Sequence, residues 1–272
     1  MPDSEKFASL RRVRRVWAVA AIHGEAARLA ALHVELARRL STGDRIIYLG
    51  NYLGRGREVL ATIDELLRFR RWAIARPLAF ASDVVYLRGC QEEMWQKLLQ
   101  LQFAVNPREV FDWMLGQGVD ATLAAYGGNL NRGMAAARDG ARAITRWTAD
   151  IRQAMAARPG HQTLMSALRR AAFTEGGELL FVHAGVDPAR PLAAQSDTLW
   201  WGSPAFAKLD EAYEGFHLVV RGFDRTHAGL RNETPIMRTR HTLTIDGGCG
   251  FGGRLAAACI SRDGDIADQI IV

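Results

Sequence analysis

The sequence predicts an α/β fold, and three observations carry that expectation. Short apolar runs rich in β-branched residues recur along the chain, each breaks into a loop that carries glycine, and helical apolar spacing follows most of them. Val16 to Ile22 is the first such run. It ends in His23-Gly24, and Glu25 to Leu40 then reads as a helix. Asp44 to Leu49 is the second, opening into Gly50-Asn51-Tyr52-Leu53-Gly54-Arg55-Gly56. Asp83 to Leu87 is the third, followed by Arg88-Gly89-Cys90-Gln91-Glu92-Glu93 and another helix, whose N-terminus the two glutamates favour. Glu178 to Val182 ends in His183-Ala184-Gly185, and His217 to Val220 ends in Arg221-Gly222-Phe223. Ligands of α/β sheets collect beyond the carboxyl ends of the strands, so these five loop starts are expected to line one crevice.

Between the third and fourth strands lies a long helical region, about residues 92 to 174. Gly116-Gln117-Gly118 and Gly127-Gly128-Asn129 punctuate it, and Ala135 to Ala157 reads as one or two exposed helices. Trp95, Trp113 and Trp147 are its candidate surface aromatics, although aromatics at helical spacing also build cores. Residues 1–10 read as a flexible tail and residues 11–272 as a single domain, with a helical cap over about 95–175.

The five loops together resemble the motifs of the phosphoprotein phosphatase family of calcineurin-like metallophosphoesterases, in its bacterial serine/threonine phosphatase or dinucleoside tetraphosphatase branch. The resemblance spans about residues 13 to 262. Ala20-Ala21-Ile22-His23-Gly24 resembles Gly-Asp-x-His-Gly, with Ala21 in place of a ligand aspartate. The second loop resembles Gly-Asp-x-x-Asp-Arg-Gly, with Asn51 at the bridging aspartate and Gly54 at the later one. Gly89-Cys90-Gln91-Glu92 resembles Gly-Asn-His-Glu, so Cys90 stands at a ligand asparagine and Gln91 at the histidine similar to a general acid. His183-Ala184-Gly185 is intact, whereas Gly222-Phe223 falls where Gly-His is expected. Trp200-Trp201-Gly202 resembles Trp-Ile-Arg with the phosphate-holding arginine lost, and Thr122 to Gly127 and Asp246 to Leu255 keep the family's order. The resemblance implies a four-layer sandwich, two mixed β-sheets flanked by helices. It also implies that Arg55, with Arg221 nearby, is placed to hold phosphate.

Physical chemistry argues separately that the metal chemistry is lost. Two close divalent cations need anionic ligands, above all a bridging carboxylate, to offset their repulsion and acidify a bound water. Asn51 is neutral, and Ala21 and Phe223 have no lone pair. His23, Asn51, Cys90 and His183 remain as residual ligands, so no cofactor is expected or, at most, one Zn or Mn ion. Buried, apolar roles for Cys90 and hydrogen-bonded roles for the two histidines need no metal. Asp224, His227 and Asp246 are the residues from which a loop shift could rebuild a site.

Composition fits an ordinary globular chain, with 272 residues, 49% of them hydrophobic, and a net charge of +6. Much of the positive charge lies in Arg11, Arg12, Arg14 and Arg15 and in Arg68, Arg70, Arg71 and Arg76. No nucleic-acid recognition motif, aromatic-basic platform or repeat accompanies these clusters, so they read as solvated surface. Cys90, Cys249 and Cys259 are an odd number at no metal-finger spacing, which suits the cytoplasm. No apolar stretch approaches about 18 residues, so no membrane span is expected. Three functions stay open: a pseudophosphatase that binds a protein partner or phosphorylated ligand, an active phosphoesterase with a remodelled or single-metal site, and a structural assembly subunit.

Overall fold

A computed structural model describes residues 6–227 and 234–272, with the side chain of His227 left aside. The elements run in this order: β1 (Phe7–Leu10), β2 (Arg15–Val19), α1 (Ala26–Arg39), β3 (Asp44–Tyr48), α2 (Val59–Ile74), β4 (Val84–Tyr86) and α3 (Cys90–Leu99). The cap follows as α4 (Pro107–Gly116), α5 (Val119–Ala125), α6 (Leu130–Asp139), α7 (Ala141–Ala156) and α8 (His161–Ser166). The second half holds β5 (Ala171–Thr174), β6 (Leu179–Val182), α9 (Thr198–Trp201), β7 (Leu218–Arg221), β8 (Ile236–Arg238), β9 (Thr242–Ile245), β10 (Ala256–Ser261) and β11 (Ile266–Ile271).

Two mixed sheets flanked by helices result. One has the order β1-β5-β6-β7-β9-β8 and the other β11-β10-β2-β3-β4. In the second, β2, β3 and β4 are parallel, with Val19 beside Tyr48 and Tyr48 beside Tyr86, while β10 runs antiparallel to β2. The period of two along β6 shows how both faces of the first sheet are covered. Leu179 and Phe181 belong to the main core shared with the second sheet, whereas Leu180 and Val182 face a smaller cluster with Leu199, Trp200, Phe206 and Tyr213.

The structure corrects several expectations. Residues 7–10 are no tail, because β1 pairs in parallel with β5, Phe7 beside Ala171. The helical region ends before Ala171, where β5 begins. The strand expected over 217–220 is shifted by one residue, and the first strand ends at Val19 although Ala20 to Ile22 stay buried. Gly140 at φ +94° divides 130–156 into two helices, and the inner face of α7 buries Ile144, Trp147, Ile151 and Met155. Trp95 and Trp147 are therefore core, and Trp113 alone of the three is exposed.

Candidate functional site

The five loops do meet, and backbone hydrogen bonds lock them together. The Ala21 amide donates to the Gly222 carbonyl at 3.0 Å, and the Ile22 and His23 amides donate to the Asn51 carbonyl at 3.0 and 2.6 Å. The amides of Gly222 and Phe223 both donate to the His183 carbonyl at 3.0 Å. The first helical turn of α3 joins through the Gln91 amide, 3.0 Å from Asn51 Oδ1. These loops are tight enough to need unusual backbone: His23, Asn51 and Arg55 have φ of +56°, +54° and +52°. Left-handed conformations in non-glycine residues cost energy and gather at functional sites.

Glu92 holds the second loop in place. Its buried carboxylate accepts from the amides of Asn51 at 2.9 Å, Tyr52 at 2.8 Å, Leu53 at 3.1 Å and Gly89 at 2.8 Å. Burial raises its pKa, and the four amide bonds oppose that rise. Beyond an expected helix start, it is thus the anchor of the crevice floor. Its spacing from Gly89, that of a capping box, was the visible signal.

The two retained histidines lie side by side around an aromatic ring. His183 Nδ1 donates to the Leu49 carbonyl at 2.6 Å, which leaves Nε2 as a buried lone pair without a partner. His23 Nε2 accepts from the Asn51 amide at 3.3 Å, and its Nδ1 is likewise buried and unpartnered. Burial lowers both pKa values, to about 4 for His183 and about 3 for His23, where the nearby Arg55 charge adds to the shift. Phe223 stacks on His183, centroids 5.3 Å apart and planes within 11°, and meets the His23 ring edge-on at 5.6 Å. Phe251, which no sequence signal singled out, closes the other side of His23 at 5.6 Å.

The positions where the resemblance expects other side chains are filled from within the protein, although Gln91 Oε1 is left buried without a partner. Asn51 Oδ1 accepts from Cys90 Sγ at 3.3 Å as well as from the Gln91 amide. Burial pushes the Cys90 thiol up to about 12. Gln91 donates through Nε2 to the Gln117 carbonyl at 2.9 Å, and its Oε1 lies under Gly54. A Cβ at Gly54 would come within 2.2 Å of that oxygen. Thr122 receives the Gly54 amide at 2.8 Å, so α5 and its preceding turn brace this loop from the cap side.

The two arginines differ. Arg221 is buried, with Nε 2.8 Å from Thr244 Oγ1, Nη1 3.4 Å from the Ala184 carbonyl and Nη2 paired with Asp224. Its charge is spent inside the fold. Arg55 is half-buried, stacks its guanidinium 4.2 Å from the Phe251 centroid, and keeps a buried Nε without a partner. Desolvation lowers its pKa. Asp224 also accepts from Thr226, and Asp246 accepts from the amides of Asp224 and Gly248. These carboxylates serve local loop structure, and the His227 side chain lies outside the described residues.

A two-metal centre of the kind the resemblance implies would want a bridging carboxylate where Asn51 stands; that position is a neutral amide whose polar atoms are engaged, and Ala21 and Phe223 supply no donor atom. Among the described residues, no group of three His, Cys, Asp or Glu side chains could hold a metal ion. Nor is any helix among them long and apolar enough to cross a membrane.

Comparison with known proteins yields likeness of fold. No family model matches the chain, and no curated protein matches it in sequence. The crystal structure of a presumptive diadenosine tetraphosphatase superposes with a TM-score of 0.57 at 16% identity, covering 98% of this chain and 97% of that one. A point mutant of a cold-active protein tyrosine phosphatase superposes at 0.50 and 13% identity, covering 98% and 83%. Another structure of a cold-active protein tyrosine phosphatase gives 0.50 at 14% identity, covering 98% and 81%. The α/β architecture of two mixed sheets flanked by helices is shared with these phosphatase structures.

Proposed function

We propose that the chain is a pseudophosphatase, a phosphatase-like protein that holds a protein partner or a phosphorylated ligand at the crevice without hydrolysing it. The observation that carries this reading is Phe223. Its ring packs against both surviving imidazoles, and it stands where the resemblance expects a metal-binding histidine. Arg55 then offers, among the described residues, a buried guanidinium donor left unmet at the crevice, suited to an anionic group. With Arg221 committed to Asp224 and Thr244, the phosphate-holding role expected for it passes to the internal structure. All three cysteines are free and buried, and we place the protein in the reducing cytoplasm.

One observation favours a second reading, a single-metal site. His183 is held through Nδ1 by a backbone carbonyl with Nε2 bare, the arrangement that metal-binding histidines use. Cys90 and Asn51 would have to complete the set, and their mutual hydrogen bond and the raised thiol pKa weigh against it.

The test is the metal content of protein re-equilibrated with manganese and zinc, read by plasma mass spectrometry beside aryl phosphate hydrolysis. We expect less than about a tenth of an equivalent and no turnover. One tight zinc equivalent that disappears in His183→Ala would move the assignment to the single-metal reading. Two equivalents with turnover would sink the pseudophosphatase. Phosphopeptide or nucleotide binding that is lost in Arg55→Ala, without product, is the positive counterpart.

A further inference from the structure

Two arginine clusters that lie far apart in sequence meet at the end of the sandwich opposite the crevice. Because β2, β3 and β4 are parallel, the segments leading into them share one end. Bonds fasten these segments together: the Arg14 amide donates to the Gly43 carbonyl at 3.1 Å, and Arg76 donates to the Leu40 carbonyl at 2.7 Å. Arg45 donates to the Arg11 carbonyl at 2.9 Å and pairs with Asp83 at 3.2 Å, and Asp83 in turn accepts from the Phe80 amide at 3.0 Å.

On this rigid base stands an apolar tip. Leu78 is 78% exposed and Phe80 65%, at the turn between α2 and β4. Leu78 adopts φ +60°, a left-handed conformation unusual for a branched aliphatic residue, so the fold bears strain to keep an apolar side chain in water. Trp72 is also exposed, with the Arg76 guanidinium 5.5 Å from its ring centroid. Arg12 and Arg14, in the segment leading into β2, and Arg71, in the last turn of α2, are exposed at this same end, and none has a carboxylate partner within salt-bridge distance among the described residues. The carboxylates of this end are engaged elsewhere: Asp44 by Arg15 at 2.8 Å, Asp83 by Arg45, Glu175 and Glu178 beside Arg12 by Arg11 and Arg262, and Glu65 and Asp64 beside Arg71 by Arg68 and His161.

We propose that this end binds reversibly to an anionic lipid surface. Leu78, Phe80 and the Trp72 ring enter the boundary between headgroups and acyl chains, while Arg12, Arg14 and Arg71 lie over anionic headgroups. Guanidinium groups without a carboxylate partner at the same end as exposed apolar side chains match such a surface in both charge and polarity. A nucleic-acid platform would instead offer aromatic faces along a basic groove, and the most exposed of the large apolar side chains here is a leucine on the turn between α2 and β4. Bound in this way, the chain turns its crevice away from the membrane.

The test is co-sedimentation of the whole protein with phosphatidylcholine vesicles, with and without phosphatidylglycerol. Binding is expected only with the anionic lipid, and it should weaken as salt is raised. Removing one arginine should reduce partitioning about fivefold, and Arg12→Ala, Arg14→Ala and Arg71→Ala together about a hundredfold. Leu78→Asp, which suits the left-handed turn, should abolish binding while the thermal transition stays in place. Should a variant fail to fold, brominated lipid decides on otherwise native protein: it should quench tryptophan fluorescence, and Trp72→Phe should remove that quenching. No sedimentation with anionic vesicles at low salt, or sedimentation unchanged by these substitutions, overturns the proposal. Capture of a single-stranded RNA oligonucleotide in place of vesicles overturns it as well.

Discussion

At the scale of single residues, the crevice is defined by neighbours that exclude one another's bulk. Gly54 and Gln91 form such a pair, since a Cβ at position 54, where φ is +81°, would overlap Gln91 Oε1. Gly54→Ala should therefore destabilise the protein by about 1–3 kcal/mol, from backbone strain and overpacking together. In a Gln91→Ala background the overpacking part should vanish, and a double-mutant cycle in urea measures that coupling. Equal costs in both backgrounds would show that the glycine answers to its backbone conformation alone. Asn51 has a similar logic. Its amide can donate to His23 Nε2 while its oxygen accepts from the Gln91 amide, a division of roles that a carboxylate could match only by accepting from the other, Nε2–H form of the ring. The crevice loops were legible in the sequence because each follows an apolar run and carries glycine. The partners were not, since Phe251, Gln117 and Thr122 reach the site through packing between elements that spacing does not report.

Among the elements, α3 does most to shape the site, because its first turn presents Glu92 to four backbone amides. Glu92→Ala would leave those donors buried without a partner, with an expected loss of about 3 kcal/mol or more. Hydrogen exchange should then rise first at residues 51–53. Exchange there no faster than in the parent protein would remove Glu92 from its anchoring role. The strands that end at the crevice, β2, β3, β4, β6 and β7, were readable as buried apolar runs. Six others were not named in advance, and particular residues show why. β10 reads Ala-Ala-Ala-Cys-Ile-Ser, without the β-branched enrichment of a strand, and gains its form from lying between β2 and β11. β1 and β8 are edge strands of four and three residues, too short for any period to register. Helix breaks were clearer, since Gly116-Gln117-Gly118 and Gly127-Gly128-Asn129 fall at the ends of α4 and α5.

Across the whole molecule, the two buried histidines of the crevice tie stability to pH. Both have folded-state pKa values below the ordinary 6.5, about 4 for His183 and about 3 for His23. Between those values and 6.5 the unfolded chain binds protons that the folded protein refuses, so stability falls as pH falls. It should be level above about pH 7 and lower by a few kcal/mol near pH 4, as read from urea midpoints. Glu92, whose pKa is raised by burial, opposes this drop over the carboxylate range. His183→Gln should flatten the slope, and a profile already flat in the parent protein would contradict the buried, neutral state of the rings. Topology has a consequence of another kind. Phe7 pairs with Ala171, so the β1 strand leaves the ribosome long before its partner exists. At about 5–20 residues per second the interval is about 10–30 s. During translation, then, Phe7–Leu10 waits as an open strand edge while the α1–α2 half of the molecule gathers around β2 to β4, and the six-stranded sheet has only this one strand until β5 is made.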